Sequence, residues 1–245
     1  MHTPPERLSQ SERSRERDSR LLTSLHPDAR VLLTARLTQV ELGRGAILET
    51  TGATTEHVHF PLSGAIVSLL QVMKDDASVE VAAIGSEGVV GSVAALGSGA
   101  ASAHAVVQLP GLFARLPMAA FRDLLDERPP LRDKMIRYNE LLLAQMQQSI
   151  ACNALHDVES RLCRWLLQTR DRMGADVLPF TQDFIGQMLG VRRTTITLVA
   201  RMLQGGDMIR CSRGKVEVLD RAALEDAACE CYAAGRARTD RFLAD

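Results

Sequence analysis

Arg193, Thr194, Thr197 and Arg201 recur at spacings of one, three and four residues. At ~100° per residue, that spacing gathers them on one side of a helix. Two guanidiniums and two hydroxyls on one face form a surface that reads hydrogen-bond patterns. Arginine bonds guanine bidentately, and threonine bonds base edges or touches a thymine methyl. The expected chemistry is recognition of duplex DNA. Ile196, Val199, Ala200 and Leu203 fall on another side of the same helix and can enter a small core.

The elements that must hold this face are legible around it. The stretch TQDFIGQMLGVRRTTITLVARMLQ, residues 181–204, reads as two short helices joined by a tight turn. Thr181 is a good N-cap, and Asp183 sits in the first turn, where the helix dipole favours negative charge. Gly190 ends the first helix, since glycine enters the left-handed C-cap region without strain. Two helices joined in this way form a helix-turn-helix, with the second helix as the reader. Residues 208–211 and 215–219 are strand-like runs around Ser212–Arg213–Gly214, a hairpin that would act as a wing. Its Arg210, Arg213 and Lys215 suit phosphates, which position a protein without reading sequence. Residues 181–215 hold six basic residues (Arg192, Arg193, Arg201, Arg210, Arg213, Lys215) and two acidic ones (Asp183, Asp207), a local +4 in a chain of net charge −1. Thr181 and Gln182, at the start of the first helix, complete the candidate DNA-contacting set.

The 245 residues have room for two modest domains, and 46% hydrophobic with 24% charged residues is a globular composition. No run reaches the ~18 apolar residues that span a bilayer. The first residues, MHTPPERLSQSERSRERDSR, lack the apolar segment of a secretory signal. A cytoplasmic location without membrane contact is therefore expected. The five cysteines, Cys152, Cys163, Cys211, Cys229 and Cys231, form no regular framework and are expected as free thiols. Residues 31–120 hold four basic and seven acidic residues, a local −3, so the two halves of the chain differ in charge and in task.

Residues 1–19 are expected to be a disordered tail. Residues 21–37 read as a helical lead-in broken at Pro27. From Thr38 short apolar runs alternate with glycine-bearing turns, including 40–42, 46–48, 57–60, 65–72, 79–84, 93–96, 103–108 and 112–116. Such spacing predicts an antiparallel barrel or roll across residues 20–128. A short helix over 117–125 precedes Pro129–Pro130, and a long helix follows to about Asn153. Along it Met135, Tyr138, Leu142, Gln145, Ser149 and Cys152 recur at helical spacing. They are taken as the dimerisation stripe, with Leu131, Ile136, Leu141, Leu143, Met146 and Ile150 widening it. A helix with more than one apolar face needs more than one neighbour. One is its own barrel, and the other is the same helix of a second subunit in a parallel coiled coil. His156–Asp157 reads as a hinge between this dimerisation segment (129–155) and a DNA-binding unit over 156–235. A helix over 158–173 opens that unit, with the only tryptophan, Trp165, as a packing residue. A last helix over 219–234 closes it, followed by loose charged residues. The fold class is thus α+β: an N-terminal antiparallel β-roll of jelly-roll type, a long helix and a C-terminal winged helix-turn-helix.

That order resembles the Crp/Fnr family of bacterial transcription regulators over about residues 20–232. The likeness is carried by IGQMLGVRRTTITLVARMLQ (185–204), DVESRLCRWLL (157–167), HVHFPLSGAIVSLL (57–70) and GSEGVVG (85–91). The resemblance implies a homodimer on palindromic promoter DNA, with a β-roll that answers an effector and, for activators, contact with RNA polymerase. It implies no enzymatic activity, and no Ser/His/Asp or Cys/His constellation contradicts this. In the family's cyclic-nucleotide binders a Gly-Glu turn takes the ribose and a later Arg-Ser pair takes the phosphate. Here Glu87–Gly88 stands in the turn, but Ala101 precedes Ser102 where the arginine belongs. The phosphate would lack its bidentate partner, which argues against cAMP. Met146 and Gln147 replace the residues that usually cap the purine. Glu87, Gly88, Ser102, Met146 and Gln147 are accordingly the candidate site of an unknown small-molecule effector. The family's recognition pattern also departs, with Thr194 in place of a Glu and Leu198 in place of a second Arg.

No cysteine precedes Cys152, so the N-terminal cluster of an Fnr-type iron–sulfur sensor is missing. No metal or other cofactor is expected. His57, His59, His104 and Cys152 are weak candidates for haem or metal, and His57 with His59 reads more simply as a half-exposed strand pair. Cys152 with His156, four apart on a helix, and Cys229 with Cys231 are two separate candidates for thiol redox sensing. Two alternatives stand beside the DNA-binding reading. One is a nucleotide-type ligand module whose winged helix contacts protein, and the other is a cupin-like enzyme using Glu56, His57, His59 or His104.

Overall fold

The computed structural model describes residues 19–245 except Asp76. The expected tail lies outside the described residues apart from Ser19, and Ser19 belongs to the fold. Its hydroxyl donates to the Ser86 carbonyl at 3.0 Å and accepts from the Leu22 N–H, which caps helix α1 (Arg20–Thr23). Helix α2 (Pro27–Thr34) starts with Pro27 in its first turn, where a missing N–H costs nothing.

Strands β1 (Thr38–Leu42), β2 (Ile47–Glu49), β3 (His57–Pro61), β4 (Ile66–Val72) and β5 (Ser78–Ile84) follow. Helix α3 (Ser92–Leu96) separates them from β6 (His104–Leu109) and β7 (Gly111–Pro117). One sheet runs β1-β7-β3 and the other β2-β6-β4-β5, and every pairing is antiparallel. Val67, Leu69, Ile84, Val107 and Phe113 meet between them with Ala82, Ala103 and Ala105. The alanines let the sheets approach closely, which leaves little room inside the roll. The run 93–96, expected as a strand, is the helix α3 instead. Four apolar residues carry no period, and Ala94 and Ala95 are good helix formers.

Helix α4 (Met118–Glu127) leads into α5 (Pro129–Leu155), the longest element. The stripe assigned above to dimerisation splits: Leu131, Met135, Tyr138, Leu141 and Leu142 turn inward, and only Ile136, Leu143 and Ile150, which widened it, turn outward. Met135, Tyr138 and Leu142 are buried against the chain's own roll, and Cys152 is buried at the far end. The outward face carries Ile136, Leu143 and Ile150, which are 41%, 55% and 67% exposed. Helical spacing shows that two stripes exist, but it does not tell which one meets the roll.

His156 caps the end of α5, and Asp157 caps the start of α6 (Val158–Met173) by accepting from the Ser160 N–H at 2.9 Å. The winged helix then comprises β8 (Val177–Leu178), α7 (Gln182–Leu189), α8 (Arg193–Gly205), β9 (Ile209–Ser212), β10 (Lys215–Val218) and α9 (Arg221–Ala227). The expected single last helix is two. The chain breaks at residues 228–230 and returns as α10 (Cys231–Ala244) along α5. The end is not loose: Phe242 is buried beside Tyr138, and its carbonyl accepts from Lys134 Nζ at 2.7 Å. This last helix extends past the expected limit at residue 235 and belongs to the core around α5.

Candidate nucleic-acid interface

Two short helices carry the interface. The Thr181 hydroxyl accepts from the Phe184 N–H at 3.2 Å and starts α7. Gly190 ends it at φ +64°, a conformation that suits glycine. Gly186 allows the close crossing of α7 and α8, because a Cβ there would lie 2.9 Å from the Val191 carbonyl. Ile196, Val199, Ala200 and Leu203 of α8 are buried with Trp165, Leu166, Phe180, Ile185 and Leu189. That burial fixes the rotation of α8. It turns Arg192, Arg193, Thr194 and Arg201 outward, all exposed, together with Thr181 at the start of α7.

The sequence did not show how some of these side chains are restrained. Arg193 pairs with Asp183 of α7 at 3.1 Å, both groups being largely exposed. Such a pair contributes little stability in water, but it aims the guanidinium. The Thr197 hydroxyl lies 2.7 Å from Gln182 Oε1 and 3.1 Å from the Arg193 carbonyl. Thr197 and Gln182 therefore brace the two helices against each other. Leu198 and Met202 were not counted as contact residues, yet both are exposed beside Thr194 on the same face. The spacing 194, 198, 202 could have revealed them. Apolar groups at a reading face suit thymine methyls.

The wing has a third strand that sequence reasoning missed. β8 has two residues and exists only through its pairing with β10. Arg213 and Lys215 are exposed at the tip, whereas Arg210 is paired across the hairpin with Glu217 at 3.0 Å.

The candidate effector residues do not converge on one pocket: Glu87 borders a cavity of about 550 Å³ with Ser86, Gln145, Gln168 and Arg172, whereas Ser102 borders a different one. Glu87 is buried, and its Oε1 accepts from Arg172 Nε of α6 at 2.7 Å and from the Gly85 N–H at 3.2 Å. Burial by itself raises this carboxyl, but the Arg172 guanidinium outweighs it and holds Glu87 below the ordinary carboxylate range. Gly88 is buried against Tyr138. Ala101 and Ser102 line a cavity of about 20 Å³ with Glu49, Leu69, Ile84 and Leu142, too small for a nucleotide. Met146 leans onto the core of the roll, and Gln147 is exposed on the other side of α5.

The winged helix is bound to the roll at several further points. Trp165, expected as packing alone, donates from Nε1 to Glu80 on β5 at 3.0 Å, and Ser68 donates to the other oxygen at 2.6 Å. Burial nevertheless pushes the Glu80 carboxyl up. Gln187 donates to the Ser78 hydroxyl at 2.8 Å, and Arg44 donates to the Pro179 carbonyl at 3.0 Å.

The His57 and His59 rings lie 6.1 Å apart, but among the described residues the histidines of the roll form no group of three metal ligands. His59 is buried with its Nδ1 unpartnered, and His104 is bonded to Thr51 at 2.8 Å. The Cys152–His156 and Cys229–Cys231 pairs, expected as separate, come together instead and form one cluster. Of the dimerisation set, Gln145 and Ser149 are partly exposed.

Comparison with known proteins matches both halves. Residues 39–128 match the cyclic nucleotide-binding domain, and residues 160–227 match the Crp-like helix-turn-helix domain. The global nitrogen regulator of Synechocystis is 28% identical, over 71% of this chain and 80% of that protein. The structure of FixK2 from Bradyrhizobium japonicum superimposes with a TM-score of 0.67 at 15% identity, covering 79% of this chain and 98% of that one. A transcriptional regulator of the CRP/FNR family from Thermus thermophilus gives 0.65 at 22% identity, covering 78% and 98%. Among the described residues, no helix is long and apolar enough to cross a membrane.

Proposed function

This chain belongs to the Crp/Fnr family of transcription regulators, and from that premise we propose that it binds palindromic promoter DNA as a homodimer without requiring cAMP. The outward face of α8 carries the reading: Arg192, Arg193, Thr194, Leu198, Arg201 and Met202 are exposed together, while the opposite face is locked in the core. α8 would enter the major groove, with Arg193 and Arg201 reading base edges. Arg213 and Lys215 on the wing would hold phosphates and set the register.

Two-fold symmetry would come from α5. Ile136, Leu143 and Ile150 are spaced by seven and exposed, the spacing of one seam of a coiled coil. Pairing that seam with its copy would place two reading helices for two half-sites.

Two observations support a roll that does not answer cAMP. The Glu87 carboxylate is already committed to Arg172, and the position of the phosphate-binding arginine is Ala101 beside a cavity of about 20 Å³. A ligand needing Glu87 would first have to break its link to the winged helix.

The test is binding of the full chain to fragments of its own upstream region, without ligand, across a salt titration. Tight, selective binding with a steep salt slope is expected, since neutralised phosphates release counterions. Selectivity that appears only on adding cAMP, or weak unselective binding under all conditions, would overturn the proposal.

A further inference from the structure

Cys152 and His156 sit one turn apart at the end of α5, and Cys229 and Cys231 flank Glu230, the N-cap residue of α10. In the chain, 72 residues separate the second pair from His156; in the fold, their four ligand atoms lie within 4.8 Å of one another. Cys152 Sγ is 3.5 Å from Cys229 Sγ, and Cys231 Sγ is 3.6 Å from His156 Nδ1. The three cysteines are buried as a cluster apart from the main cores. From these contacts we infer that the four side chains form a closed tetrahedral Cys3His zinc site.

The dimensions suit one ion. Zinc takes thiolate at ~2.3 Å and imidazole at ~2.0 Å, so the edges of its tetrahedron are about 3.5–3.8 Å. The Cys152–Cys229 and Cys231–His156 separations fall near that edge length and all four ligand atoms lie within 4.8 Å of one another, so an ion placed centrally would meet them after the wider pairs close in. A multi-iron cluster holds its cysteines on different metal atoms and needs them farther apart. Three thiolates and one imidazole in a tetrahedron select zinc over copper(II), nickel, magnesium or calcium, which prefer other geometries or oxygen ligands. With all four positions filled by protein, the site is structural and leaves no open position for catalysis.

The surroundings complete the arrangement. His156 Nε2 lies 3.2 Å from Glu230 Oε1, which leaves Nδ1 directed at the cluster. A carboxylate behind a metal-binding histidine fixes its tautomer and strengthens it as a ligand. Gln148 Nε2 donates to Cys231 Sγ at 3.0 Å, a second outer hydrogen bond. Zinc with three thiolates carries a net −1. Arg161 and Arg164 act on this group electrostatically, and each has a buried Nε without a partner. On binding, the thiol protons leave to solvent and Zn²⁺ takes their place, with no change of oxidation state.

The position gives the ion a task. It would tie the end of the long helix, the His156–Asp157 hinge and the start of α10 into one joint. The hinge between the coiled-coil helix and the winged helix would then be clamped rather than free.

The experiment uses the full chain, purified under reducing, chelator-free conditions, and does not depend on DNA binding. Elemental analysis is expected to find about one zinc per chain. Cobalt(II) exchanged into the protein is expected to show the intense visible bands of a tetrahedral thiolate site. H156A and C231S should each lose stoichiometric zinc, while C163S and C211S should keep it. Because a ligand variant can fail to fold, chelation of the wild-type protein provides a second measurement. It should release the zinc and lower the melting temperature, and added zinc should restore both. Absence of stoichiometric metal with no cobalt bands on titration would overturn the assignment. So would zinc retained in both ligand variants, an iron–sulfur chromophore, or a Cys152–Cys229 disulfide in place of metal.

Discussion

The Glu87 carboxylate and the Arg172 guanidinium meet at 2.7 Å, nearly excluded from solvent, and join the turn after β5 to the helix that opens the winged helix. Removing one partner of a buried pair leaves an uncompensated charge and typically costs ~3–5 kcal/mol. R172A and E87Q should therefore each destabilise the chain by about that much in urea denaturation, the first by leaving the carboxylate buried alone and the second by leaving the guanidinium so. The folded Glu87 carboxyl lies below its ordinary value, so its contribution is present above ~4.3 and lost as the pH falls through the folded value. The stability gap between wild type and E87Q should narrow on acidification below that range. A gap that stays constant into strong acid would show that the pair does not carry it.

His59 offers a second pH dependence of the same sense. Burial first, then the charges of His57 and Arg115, push its imidazole down to about 4. The unfolded chain takes up this proton near ~6.5, before the folded chain does, so acid favours unfolding across the interval between the two values. The contribution is intact above that interval and amounts to at most ~3 kcal/mol. H59F should flatten the stability profile between the two values. A profile as steep as that of the wild type would assign the dependence to other groups.

Arg193 and Arg213 should differ in kind. R193A removes a base contact and should cost ~1–3 kcal/mol at the preferred site with relaxed sequence preference. R213A should weaken all sequences alike and lower the salt slope by about one. D183N frees Arg193 from its tether and should alter selectivity more than stability. Equal losses on specific and random duplexes for R193A would remove it from the reading set.

The outward seam of α5 gives the oligomer a direct test. L143D with I150D should shift the chain to monomer in sedimentation and abolish binding to a two-half-site duplex. Both side chains are exposed in the single chain, so its own fold should persist. A dimer that survives both substitutions would place the interface elsewhere.

The two-helix motif, the wing hairpin and most strands of the roll were readable because their signals are local. Caps, turns and apolar periods act over a few residues. Thr181, Gly190 and the buried side of α8 are examples, and so is the outward position of Arg193 and Arg201 that follows from it. The two-residue strand β8 was not readable, since it exists only through a partner some forty residues away.

By itself, then, the sequence determined the kind of elements, their order, and the face of α8 that is free to read DNA. The tertiary structure decided which stripe of α5 is buried, since Met135 and Leu143 belong to equally apolar faces and only the position of the roll distinguishes them. It decided that Glu87 meets Arg172, and that Trp165 reaches Glu80. It also brought Cys152 and His156 to Cys229 and Cys231, by folding α10 back along α5. The physical reason is common to all of these. Backbone and capping preferences are settled between near neighbours, whereas side-chain partners distant in the chain meet only after the elements have packed.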